Sequence, residues 1–107
     1  MLGMKPQRSI TIERRIKIIK HELLKLGEMR PGSVTKQVQV RNGKTYSYWQ
    51  VSFTHNMKSR TNYVRPELLK ATRLQIKNFK KFKKLVDEWI SLAIEHAQLS
   101  AKSPPES

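Results

Sequence analysis

Ile12, Ile16, Ile19, Leu23 and Leu26 recur in steps of four, three, four and three. That spacing lays one apolar stripe along a helix and leaves Arg14, Arg15, Lys17, Lys20 and Lys25 largely off it. Ser9 or Thr11 is the expected N-cap, with Glu13 favourable in the first turn. Gly27 is expected to supply a left-handed C′ residue, and "RPG" at 30–32 blocks continuation. The pattern then changes to alternation. "SVTKQVQVR" leads into Asn42-Gly43, a strong hairpin signal, and a two-residue turn there pairs Arg41 with Lys44, Gln39 with Tyr46, Gln37 with Tyr48 and Thr35 with Gln50.

Side-chain parity assigns the faces. Val34, Val38, Val40, Trp49, Val51 and Phe53 share the face expected to lie on the helices. Gln37, Gln39, Arg41, Lys44, Tyr46, Tyr48, Gln50 and Ser52 share the other. A second turn is placed at His55-Asn56-Met57. With three turn residues, Thr61 and Tyr63 join the inner face and Arg60 and Asn62 the outer; a one-residue slip reverses that strand. Pro66 and Glu67 then open a helix that meets no Gly or Pro before about Leu99. On its wheel Lys70, Arg73, Lys77, Lys80, Lys81 and Lys84 form one stripe. Leu68, Thr72, Phe79, Phe82, Val86, Trp89, Ala93 and Ala97 lie opposite, toward the core. The expected fold is α+β in the order α-β-β-β-α. It forms one domain over 9–99, between a disordered basic segment at 1–8 and a disordered tail at 100–107.

Charge turns this scaffold toward a partner class. Lys and Arg number 22 against 8 Asp and Glu, a net of +14. The excess is uneven: residues 1–84 hold 21 basic and 4 acidic side chains, whereas 85–107 hold one basic and four acidic. One-sided positive charge is the footprint of a polyanion partner. Amides and Arg hydrogen-bond base edges, Ser reaches phosphates and Tyr stacks on bases, so the polar sheet face is the expected base-contacting surface. Lys58, Arg60 and Asn62 extend it, and the lysine stripe of the last helix is expected on phosphates. A solvated sheet face and a solvated helix face are the plain alternatives.

Catalysis finds little here. His21, His55 and His96 sit in separate elements, and adjacent His-Glu pairs on a helix do not face the same side. Paired carboxylates, a P-loop and metal-ligand spacing are absent from the sequence, which contains no Cys; no enzyme activity, cofactor or metal is expected. The lack of Cys, of a signal-peptide pattern and of an apolar run near the roughly 18 residues of a membrane span points to the cytoplasm. The acidic, apolar end of the last helix exceeds what one short helix covers, so self-association is expected through Leu85, Trp89 and Leu92.

"GKTYSYWQVSF" at 43–53 with "KSRTNYVRPELL" at 58–69 resembles a family of short, functionally uncharacterised bacterial and archaeal proteins found beside transposases and other mobile elements. The similar pattern is a helix, Gly-Lys and a Tyr-rich strand, a Lys/Arg-Thr-x-Tyr-Val strand, and Pro-Glu opening a helix, over roughly 12–97. Many relatives carry Cys-x-x-Cys-x-Cys ahead of the Tyr-rich strand. "VTKQVQVRNGKTY" stands there in this chain, so a metal role does not carry over. The resemblance implies a context and no mechanism. The expected function is a non-catalytic DNA-binding accessory or regulator of a mobile element. The alternatives are an RNA-binding accessory of a ribonucleoprotein effector and a binder or inhibitor of an acidic protein.

Overall fold

A computed structural model describes residues 7–102, the side chain of Lys102 excepted. Helix α1 (Gln7–Lys25) is followed by strands β1 (Ser33–Arg41), β2 (Lys44–His55) and β3 (Lys58–Val64), a 3₁₀ turn at Pro66–Leu68, and helix α2 (Leu69–Lys102). The strands form one antiparallel sheet in the order β1-β2-β3. The fold is therefore α+β in the expected α-β-β-β-α order. Two compact units are built from it: Gly27–Lys81, and residues 7–26 together with 82–102.

In the unit Gly27–Lys81 the inner sheet face packs on the start of α2. Val51, Val64 and Ile76 are buried, and Val34, Trp49, Phe53 and Leu69 pack against them. The segment before β1 is tied to the same helix. The Arg30 amide donates to the Gln75 carbonyl (3.2 Å), and the Asn78 side chain donates to the Glu28 carbonyl (2.9 Å). Close packing explains Gly32, whose φ is +135°. A Cβ there would lie 2.7 Å from Cγ1 of Val51 and 3.0 Å from the Ser52 carbonyl oxygen. The positive φ expected at Gly27 falls at Gly32 instead.

In the other unit α1 runs antiparallel to residues 82–102. Arg8 holds Glu95 and Arg15 holds Glu88, each through two guanidinium nitrogens, with Nη2 distances of 3.0 and 2.8 Å. Glu13 lies 3.1 Å from Nε2 of His96. Ile12, Ile19 and Leu85 are buried in this unit.

Several expectations need correction. Helix α1 begins at Gln7, so Ser9 and Thr11 do not cap it. Ser9 is buried within the helix, and Thr11 donates to the Gln7 carbonyl (3.1 Å). Residues 1–6 of the segment expected to be disordered, and 103–107 of the tail, lie outside the described residues. Residues 7–8 and 100–102 are helical. Leu68 falls in the 3₁₀ turn and is 52% exposed, whereas Leu69 and Ile76 join the core. Ala93 and Ala97 are exposed. One stripe drawn straight through α2 fails because each unit draws on its own residues of that helix. Of the residues expected to mediate self-association, only Leu85 is buried. Leu85 is 5% exposed, Trp89 is half-buried under the Lys20 ammonium (5.3 Å from the ring centroid), and Leu92 is half-buried.

Candidate nucleic-acid interface

The hairpin β1–β2 has the expected register, Arg41 opposite Lys44, Gln39 opposite Tyr46, Gln37 opposite Tyr48 and Thr35 opposite Gln50. Asn42 and Gly43 take φ of 51° and 75°, both positive, as a two-residue turn matched to strand twist requires. The outer face consequently gathers Gln37, Gln39, Arg41, Lys44, Tyr46, Tyr48, Gln50 and Ser52. The Gln37 amide donates to Thr35 (3.2 Å) and the Gln39 amide to the Tyr48 hydroxyl (3.4 Å), which orders both side chains across the surface.

The next strand departs from expectation. The turn contains only Asn56 and Met57, with φ of 51° and 62°, so His55 pairs with Lys58 and every later residue shifts by one. Arg60 then lies opposite Phe53 and Asn62 opposite Val51, on the inner-face parity, together with Lys58. Thr61 and Tyr63 occupy the outer face in their place. Tyr63 stacks obliquely on Tyr48 (centroids 6.5 Å apart, planes at 46°), and Thr61 and Ser59 meet the hydroxyls of Ser52 (3.4 Å) and Thr54 (3.1 Å). Reasoning from sequence missed Thr61 and Tyr63 because Met57 is not a usual left-handed residue.

A second correction concerns how much of the hairpin α2 covers. Val38 and Val40, expected on the helices, are 60% and 69% exposed. β3 pairs with β2 only from Trp49 onward. Residues 38–41 and 44–47, all exposed, therefore form a two-stranded ribbon, with Gln37 and Tyr48 half-buried at its base.

The cations collect elsewhere. Lys36 and Arg73 approach Trp49 from 5.8 and 5.0 Å, a cation–π arrangement on the inner side of the sheet. Arg73, Lys77 and Lys80 line an open groove of about 350 Å³ with Gly32, Ser33 and Val34 at the root of β1. Lys70, Lys81 and Lys84 are exposed on α2. The amide-tyrosine face and the groove cations thus lie on opposite sides of the sheet. Between Glu28 and Glu67 the chain contains no carboxylate side chain, although residues 29–66 carry Arg30, Lys36, Arg41, Lys44, Lys58, Arg60 and Arg65. The whole sheet is built from that stretch.

The Glu13–His96 pair, 83 residues apart in sequence, was not foreseeable from local spacing. It borders an open groove of about 610 Å³ lined also by Ile16, Lys17, Lys20, Ala93 and Ala97, a set without a hydroxyl or thiol nucleophile. Among the described residues no group of three or more His, Asp or Glu side chains could hold a metal ion, and no helix is long and apolar enough to cross a membrane. Comparison with known proteins finds no matching family model, curated protein or solved structure.

Proposed function

We propose that the chain is a non-catalytic nucleic-acid-binding protein that uses its sheet and the adjoining cations of α2. The observation that carries this is the carboxylate-free sheet: seven cations and no acid over 29–66. A sheet kept soluble by mixed charge has no need to exclude Asp and Glu, whereas a surface that must approach phosphates does. Amides, hydroxyls and tyrosines on the outer face supply base-edge hydrogen bonds and stacking, and Arg73, Lys77 and Lys80 supply charge. DNA is the favoured partner, and the mobile-element setting follows from the motif resemblance.

Purification at low salt, followed by DNase and RNase treatment, identifies any bound nucleic acid. In equilibrium titrations with a 20-bp DNA duplex, Lys77→Gln with Lys80→Gln is expected to lower the slope of log K against log salt by about 1.8, at roughly 0.9 per phosphate contact. Tyr48→Ala is expected to weaken binding without changing that slope. Failure to bind any DNA or RNA at about 50 mM salt, well within the range where phosphate contacts are strong, would falsify the proposal.

A further inference from the structure

The open ribbon raises a question that an ordinary three-stranded sheet does not. Residues 38–41 and 44–47 leave the cover of both β3 and α2, at the cost of exposing Val38 and Val40. A hairpin serving only to complete a core would stop near Val34 and Trp49, where the packing stops. We infer that this ribbon enters the major groove of duplex DNA, with the Lys36, Arg73, Lys77 and Lys80 cluster at its root resting on the phosphates that wall the groove. The inference rests on nucleic-acid binding as proposed above, and specifies duplex DNA and the inserted element.

Dimensions support the fit. Four residues per strand at about 3.4 Å each give a projection of about 14 Å. The B-DNA major groove is about 12 Å wide and 8.5 Å deep and admits a two-stranded ribbon. The major groove of A-form RNA is too narrow and deep for side chains to read. Chemistry supports it as well. One ribbon face presents Gln39 and Tyr46, with Gln37 at its base, groups that hydrogen-bond base edges; the other presents Val38 and Val40, which suit thymine methyls. Arg41 and Lys44 flank the tip turn, and no carboxylate stands on either strand.

Insertion also accounts for cations and amides on opposite sides of one sheet. A flat ligand could touch only one of those surfaces. A groove has a floor and walls: a ribbon of about 14 Å whose tip meets the floor about 8.5 Å down holds its root, and with it Lys36 and Arg73 over Trp49, about 5 Å outside the rim, where extended Lys and Arg side chains meet the phosphates. Groove insertion therefore engages both sets of groups at once.

Removing Gln39, Val40, Thr45 and Tyr46 deletes two facing pairs, keeps the Asn42-Gly43 turn and strand parity, and shortens the ribbon by about 7 Å. Full-length and shortened chains are titrated, by anisotropy at one salt concentration, against a DNA duplex, an RNA duplex of the same sequence, and a DNA duplex whose cytosines are glucosylated 5-hydroxymethylcytosines. That last duplex fills the major groove and leaves the phosphates unchanged. The full-length chain is expected to prefer unmodified DNA over both other duplexes by about tenfold or more, and the shortened chain to lose that preference. If the shortened chain does not fold, the double substitution Gln39→Ala, Tyr46→Ala replaces it, since both side chains are exposed. Equal affinity for filled and open grooves, or a ribbon variant that retains the preference, overturns groove insertion and leaves nucleic-acid binding standing. Absence of binding to all three duplexes overturns both.

Discussion

Gly32→Ala is expected to be the most damaging single-methyl change in the sheet unit. Two costs combine. The residue sits at φ +135°, where an L side chain is strained by about 1–3 kcal/mol. The new methyl would also lie 2.7 Å from Cγ1 of Val51, which is fully buried, and 3.0 Å from the Ser52 carbonyl oxygen. Backbone cannot swing aside as a flexible side chain can, and overpacking of this kind costs about 1–3 kcal/mol. The sum is about 2–6 kcal/mol, a large part of the roughly 5–15 kcal/mol that holds a small domain together. Gly43→Ala supplies the comparison. Its φ is +75° and nothing lies within 4 Å of the added methyl, so only the backbone cost remains, about 1 kcal/mol. Urea titrations followed by Trp49 fluorescence, in a Trp89→Phe background so that one indole reports, measure both. Equal midpoint shifts for the two variants would refute the clash with Val51.

Three further outcomes concern the helical unit. Leu85→Ala is expected to cost about 2–5 kcal/mol in chemical denaturation, as a buried leucine does. Ile90→Ala, at a 52% exposed position, should stay within about 0.5 kcal/mol. The hydrogen bonds from Arg15 and Arg8 hold the Glu88 and Glu95 carboxyls below their ordinary value, and the same contacts raise both guanidinium pKa values. A depressed folded-state pKa means stabilisation that is complete above the unfolded Glu value of about 4.3 and is lost as pH falls through the folded one. Thermal melts should therefore show an acid limb below about pH 4.3 that flattens in Glu88→Gln, Glu95→Gln; an unchanged limb would remove these pairs from the acid response.

Much of the fold was legible because it rests on local signals. The isoleucine spacing of α1 follows from helix geometry, and Asn42-Gly43 dictates the register of β1 on β2 through the two positive φ angles it tolerates. Beyond that turn local signals weaken. Asn56-Met57 adopts the same kind of turn with a methionine in the left-handed region, and the one-residue difference sends Arg60 and Asn62 to the inner parity and Tyr63 to the outer face. Where a helix or strand finds its cover is a tertiary matter. Val38 and Val40 carry the alternation of a buried strand, yet α2 does not reach them. Leu85 carries the pattern of an unclaimed apolar face, yet α1 claims it. Similarly, Arg8, Glu13 and Arg15 gave no sign in sequence of the partners 73 to 87 residues away that they hold.

The sheet ends at β1 on one side and β3 on the other, and each outermost strand presents unpaired amide and carbonyl groups along its length. Such margins invite another chain to add a strand. Lys36 and Arg41 guard the first margin and Lys58 and Arg60 the second, and without acidic neighbours they make two approaching copies repel. That guard is electrostatic, and so it weakens when the Debye length contracts from about 10 Å at 0.1 M salt to about 3 Å at 1 M. Strand addition between copies should thus rise with ionic strength, the reverse of ordinary salting-in, and polyphosphate should provoke it at far lower concentration than chloride.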